Sequence, residues 1–167
     1  MSDKLKFKNM LKDLRTQFKL NNFTDWIKAS SKVNFLFDLL ENLKQQGHKV
    51  LIFSKTKILL NMIESVMDEK GYNFSRLDGD VKIPLRDGIC NQFNNDPDMF
   101  CFLLTSQVSG VGLNLVSANR AIVLDPDWNP ANDNQSIDRC YRIGQKRDVI
   151  IYRLISTNSV EDKIYRR

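Results

Sequence analysis

Histidine is nearly missing: His48 is the only one among 167 residues. This excludes a His-Glu-x-x-His zinc site and any metal cage built from several imidazoles. Cysteine is scarce and odd in number, with Cys90, Cys101 and Cys140 far apart. Scattered thiols of this kind make no disulfide framework, and they are expected to be buried and reduced inside a cell. No stretch approaches the roughly 18 consecutive apolar residues of a membrane span. The opening MSDKLKFKNM has no apolar core of the kind a secretion signal requires, so an intracellular, non-secreted protein is expected. Glycine (7) and proline (4) are too few for a collagen-like or low-complexity chain. What is present, 42% hydrophobic and 27% charged residues, describes an ordinary globular protein with a core of its own.

A net charge of +5 hides an uneven distribution. Residues 1–57 hold 12 basic and 5 acidic side chains, residues 58–138 hold 5 and 12, and residues 139–167 hold 8 and 3. Two basic ends therefore flank an acidic middle. Solvated helix faces would account for this, and so would contact with a polyanion, either nucleic acid or nucleotide phosphate.

From residue 30 onward two hydrophobic periods alternate. Ser31 can cap a helix carrying Val33, Leu36, Phe37, Leu40 and Leu43 at helical spacing, with Gly47 as its stop. A second helix is expected with Leu59, Met62, Ile63 and Val66 inward and Gly71 at its end, and a third around residues 84–95. Between them lie short apolar runs suited to buried strands: Lys49–Ser54, Phe74–Leu77, Phe100–Thr105, Ala121–Asp125 and Val149–Ile155. Continuously apolar strands separated by helices predict one doubly wound α/β domain over residues 30–167, its mainly parallel sheet covered on both faces. Residues 1–29 show no strand, and their spaced leucines among basic residues predict a helical lead-in or linker. In folds of this class ligands gather outside the carboxyl ends of the strands, here the loops beginning at Ser54, Asp78, Thr105 and Asp125.

Three segments could carry chemistry. The loop Thr105–Asn114 has Gly110 and Gly112 for close backbone approach, and Thr105, Ser106 and Asn114 as hydrogen-bonding groups. It could hold a phosphate or a ribose, and it could equally be a tight turn. The predicted helix from Asn132 to Gly144 carries Gln135, Arg139 and Arg142 at i, i+4 and i+7, on one stripe. Paired guanidinium forks suit a phosphate, although Asp127, Asp133 or Asp138 could also take them up. Between these segments, Trp128 could plug the sheet edge or touch a nucleic-acid strand. His48 lies before a strand, at the far end from these loops, and is read as structural.

In this order and spacing the segments resemble the C-terminal RecA-like lobe of Swi/Snf-type DNA translocases of helicase superfamily 2. The likeness runs from about Ser31 to Arg167. Lys49–Ser54 is similar to motif IV, Arg76-Leu-Asp-Gly79 to a strand-end signature, Thr105–Leu115 to motif V and Gln135–Gln145 to motif VI. The string Asp138-Arg-Cys-Tyr-Arg-Ile-Gly-Gln145, preceded by Asp127-Trp-Asn-Pro130, is the most specific part. The motifs look closest to the branch of the mitotic anaphase-bridge translocase PICH, and less close to the Cockayne syndrome B type.

The resemblance implies a P-loop NTPase-like second lobe of an ATP-driven motor that moves along double-stranded DNA without separating its strands. ATP with magnesium would sit between two lobes, the magnesium held by the other, N-terminal one; no metal ligand is assigned in this chain. Arg139 and Arg142 would be arginine fingers with Gln135 beside them. Gly110, Gly112 and Asn114 would lie where nucleotide is coupled to DNA, and Ser54, Lys55, Thr105 and Trp128 would face the DNA backbone or link it to the ATP site. Chromatin or repair work in the nucleus, with chromatin proteins as possible partners, follows from the same likeness. Ser109 replaces a usual glycine, Asp80 a usual hydroxyl residue, and Gln107 an arginine common in the wider family. The chain has no Gly-x-x-x-x-Gly-Lys-Ser/Thr loop and no Asp-Glu-x-His box, so alone it is predicted not to turn ATP over. A non-catalytic docking module, or a lobe of an RNA helicase, are the other readings.

Overall fold

The computed structural model describes residues 30–108, 112–127, 129, 131, 134, 137–138 and 144–166. The lead-in expected over residues 1–29 lies outside them. The described elements are α1 (Ser31–Gln45), β1 (Val50–Ser54), α2 (Lys57–Glu69), β2 (Phe74–Leu77), α3 (Ile83–Asn95), β3 (Cys101–Thr105), β4 (Arg120–Val123), β5 (Ile150–Arg153) and α4 (Val160–Tyr165).

Local chemistry sets the helix ends. The α1 cap is Ser30, one residue earlier than expected: its hydroxyl accepts from Val33 N at 3.3 Å, and Ser31 is the first helical residue. Gly47, at φ +70°, closes α1, and His48 N reaches back to Leu43 O at 3.0 Å. The same device recurs on α2, where Thr56 caps and Gly71 at φ +66° lets Tyr72 N reach Met67 O. The inward stripe of α2 is Leu60, Ile63, Val66 and Met67, with Leu59 and Met62 half-buried at its flank. Ile63 and Val66 lie on the expected face, but Leu60 and Met67 replace Leu59 and Met62 at its centre, a turn of about 60° at 100° per residue.

The sheet has five parallel strands in the order β2-β3-β1-β4-β5. Side chains alternate across it, which splits the core in two. Val50, Ile52, Cys101, Leu103 and Ile122 face one side and pack with α1 and α2. Leu51, Phe53, Phe102, Leu104 and Val123 face the other, against Phe93 of α3 and Ile137. Each such large side chain contributes roughly 1.5–3 kcal/mol by leaving water. Both faces are thus covered, as the continuous apolar strands require, except at the edge, where Ile150 and Ile151 of β5 stay exposed. Cys90 and Cys101 are buried free thiols, as expected, and Cys140 lies outside the described residues.

Candidate functional site

The three central strands β3, β1 and β4 deliver Thr105, Ser54 and Asp125 to one edge of the sheet. Ser54 and Thr105 are register partners, both buried. Asp125 grips the end of β1: its carboxylate accepts from Lys55 N at 3.0 Å and from the Ser54 hydroxyl at 3.2 Å. Burial pushes the Asp125 carboxyl above its ordinary value, against the pull of the Lys55 amide, Ser54 and the Lys55 and Lys32 cations. The Lys55 ammonium turns to the same loop, donating to Pro126 O at 2.7 Å and lying 3.5 Å from the Asp127 carboxylate.

Beyond β3, Ser106 N donates to Ser54 O at 3.0 Å, and the buried Val108, Leu113 and Leu115 root the following loop in the core. Between these roots Gly112, at φ +45°, and Asn114 are exposed. A Cβ on Gly112 would meet nothing within 4 Å, so the glycine serves the backbone angle and not a close approach. Asn94 of α3 clamps the loop, its amide nitrogen on Asn114 O at 2.8 Å and its oxygen accepting from Ser117 N at 3.3 Å. The Thr105 hydroxyl is buried without a partner among the described residues, a polar group at the foot of the loop with hydrogen-bonding capacity to spare. Gly110 lies outside the described residues.

Trp128, Gln135, Arg139 and Arg142 also lie outside them. Their described neighbours give the framework. Asn129 N bonds the Asp127 carboxylate at 3.0 Å, and the Asn129 side chain accepts from Ala131 N at 3.1 Å. Residues 131, 134 and 137 are helical and Asp138 is in a turn, so the helix expected from Asn132 to Gly144 is interrupted there. Ile137 is buried in the core, and Arg153 of β5 holds the Asn134 side chain at 3.0 Å. Gly144, where the sequence places the stop, has φ +107°.

At β2 the Arg76 guanidinium bridges Glu64 and Asp78, and Asp78 accepts from Asp80 N at 3.0 Å. Burial opposes ionisation of Asp78, but the Asp80 amide and the Arg76 and Lys57 cations hold its carboxyl below the usual range. The Asp80 carboxylate, the departure noted from sequence, pairs with Lys57 at 2.6 Å, which offsets its charge at this edge.

At the opposite, amino end of the strands a cleft of about 570 Å³ opens beside His48, Lys146 and Arg147. Its lining includes Ser117, at the end of the loop clamped by Asn94, and Gly144. Here Arg120, buried under the cleft, donates to Asn119 O, Asp148 O and His48 Nε2. Among the described residues no group of three or more His, Cys, Asp or Glu side chains is placed to hold a metal ion.

Sequence reasoning missed Asp125 as a clasp, Asn94 as the loop clamp, and Lys32, whose ammonium bonds Leu124 O at 2.9 Å and Glu161 at 2.6 Å. Lys32 had a signal. A cation in the first turn of a helix opposes the helix dipole and needs a partner elsewhere.

The helicase conserved C-terminal domain matches residues 31–144. The chain belongs to this family. Its relatives are of the SNF2 type. It is 51% identical over 138 residues to the SNF2 domain-containing protein ENL1 of Oryza sativa subsp. japonica, covering 83% of this chain and 14% of that protein. It is 47% identical over 142 residues to the human DNA excision repair protein ERCC-6-like, covering 84% and 11%. The C-terminal part of the Fun30 ATPase domain superposes with a TM-score of 0.85 at 34% identity, over 99% of this chain and 54% of that one. The helicase domain seen here is thus the RecA-like C-terminal lobe of an SNF2-type ATPase, and the chain spans only a small part of the length of its curated relatives.

Proposed function

We propose that this lobe, its domain running over residues 30–167 behind a linker at 1–29, completes an ATP-hydrolysing motor that travels along double-stranded DNA. The observation that carries the reading is the convergence of Ser54, Thr105 and Asp125, with their loops, at one edge of the sheet. Arg139 and Arg142 are the arginine fingers for the γ-phosphate, with Gln135 beside them. Arginine supplies a fixed charge and a planar fork where phosphate charge spreads in the transition state.

Magnesium and the phosphate-binding loop belong to the N-terminal lobe of the longer protein. What this chain offers the nucleotide, besides the fingers, is an edge with Gly110, Gly112 and Asn114. The partnerless Thr105 hydroxyl at the foot of that loop fits a ligand-linked role. Ser54 and Thr105 are buried, so they act by linking the DNA side to the nucleotide side, while Lys55 and Trp128 are the groups that reach DNA phosphates. Such contacts position the duplex without reading its sequence. Chromatin proteins are the further partners and the nucleus the compartment; no helix among the described residues is long and apolar enough to cross a membrane.

The test uses the polypeptide carrying both lobes. Arg139→Ala and Arg142→Ala should each lower DNA-stimulated ATP turnover by about 10³-fold or more while ATP binding stays within a few-fold. Wild-type turnover in both would end the finger assignment. Stimulation by RNA in place of duplex DNA would move the lobe to the RNA helicases.

A further inference from the structure

Lys32 makes contacts that its place in the sequence does not explain. It sits in the first turn of α1, and its side chain is only 19% exposed. One ammonium joins three elements: α1 itself, the carbonyl of Leu124 just after β4, and Glu161 of α4. Glu161 also accepts from Ser156 N at 2.9 Å, which fixes the segment between β5 and α4. Burial resists ionisation of Glu161, but Lys32 and the Ser156 amide hold its carboxyl below the ordinary value. Lys32, Leu124, Asp125 and Glu161 all line one pocket of about 230 Å³, and the Lys32 cation, paired with Glu161, also favours the charged form of Asp125.

Leu124 is the residue before Asp125, whose carboxylate holds the end of β1. The stretch leading to Arg139 and Arg142 is therefore gripped from two sides at its first residues. Ser54 and Lys55 hold it from β1, and Lys32 holds it from α1 and α4.

We propose that Lys32 is a positioning residue for the segment that carries the arginine fingers, fixing its origin at Leu124 and Asp125 to α1 and, through Glu161, to α4. The catalytic consequence rests on the finger reading above; the mechanical one does not. A lysine suits the task because one ammonium offers three donors, enough to serve a carbonyl and a carboxylate together. Without it, Leu124 O and Glu161 lose their shared donor, and at Leu124 and Asp125 the segment keeps only its hold on the end of β1.

The experiment compares amide hydrogen exchange of the 167-residue chain with that of Lys32→Met, Glu161→Gln and the charge swap Lys32→Glu/Glu161→Lys. In Lys32→Met, peptides covering 125–138 should exchange about tenfold faster or more, with peptides from β1 and β3 unchanged, since a lost hydrogen bond to a charged group is felt as local opening. The charge swap should leave exchange fast, because a glutamate at position 32 restores an ion pair but cannot donate to Leu124 O. In the two-lobed polypeptide Lys32→Met should lower kcat about tenfold with KM for ATP within twofold. Uniformly faster exchange that tracks a lower Tm, or full rescue by the swap, would overturn the proposal and leave an ordinary salt bridge. If the finger reading alone is wrong, Arg139→Ala and Arg142→Ala keep their turnover while the local exchange effect of Lys32→Met persists.

Discussion

Asn119 and His48 settle a protonation state between them. The Arg120 guanidinium can only donate, so His48 Nε2 accepts at 3.0 Å and the ring proton sits on Nδ1. Nδ1–H then needs an acceptor; the Asn119 amide nitrogen lies 3.0 Å from Nδ1 and its oxygen is buried without a partner, so exchanging the two by turning the amide over supplies one. Burial, then the Arg120 and Arg147 cations, hold the His48 pKa below 6.5, outweighing the Asn119 bond. The unfolded chain takes up this proton first as pH falls, so the site contributes stability above about pH 6.5 and loses it below. From pH 7.5 to 5.5 Tm should fall, and in His48→Gln it should fall less. Equal slopes for the two proteins would refute a neutral His48.

Helices and strands differ in how openly the sequence declares them. β1 and β3 are legible because both faces are buried and every residue is apolar until Ser54 and Thr105. The edge strand β5 reads equally apolar, yet Ile150 and Ile151 are exposed, because a run of hydrophobic letters does not say which neighbour is missing. The inward face of α2 keeps Ile63 and Val66 as expected but takes Leu60 and Met67 over Leu59 and Met62, because all are apolar and only the packing chooses among them. Leu60→Ala should therefore cost about 2–5 kcal/mol and Leu59→Ala clearly less, measured by urea denaturation. Gly47→Ala should cost about 1–2 kcal/mol by the same measurement, from the left-handed backbone at φ +70° and not from crowding. Of the site, the residue types at strand ends could be read directly. The Asp125 clasp and the Lys32 contacts could not, since their partners lie 70 to 129 positions away and no local pattern encodes such distances.

Under the proposed function the lobe supplies fingers and a track, and the phosphate cradle belongs to the N-terminal lobe. The isolated chain should show no ATP turnover above background with or without DNA. Its DNA affinity should be weak, with the logarithm of the binding constant falling linearly with that of salt, since phosphate contacts release counterions. Salt-independent binding would point to another surface. The order of the strands also governs how the molecule comes into being. β1 lies at the centre of the sheet, yet its two neighbours, β3 and β4, begin only at Cys101 and Arg120. During synthesis, Leu51, Ile52 and Phe53 emerge first and wait with both hydrogen-bonding edges open until residues near Val123 have left the ribosome. In the interval only α1 and α2 on one face and α3 on the other can shelter them. A nascent chain halted near Asn95 should accordingly be protease-sensitive and bound by chaperones, and one extended past Arg153 should not.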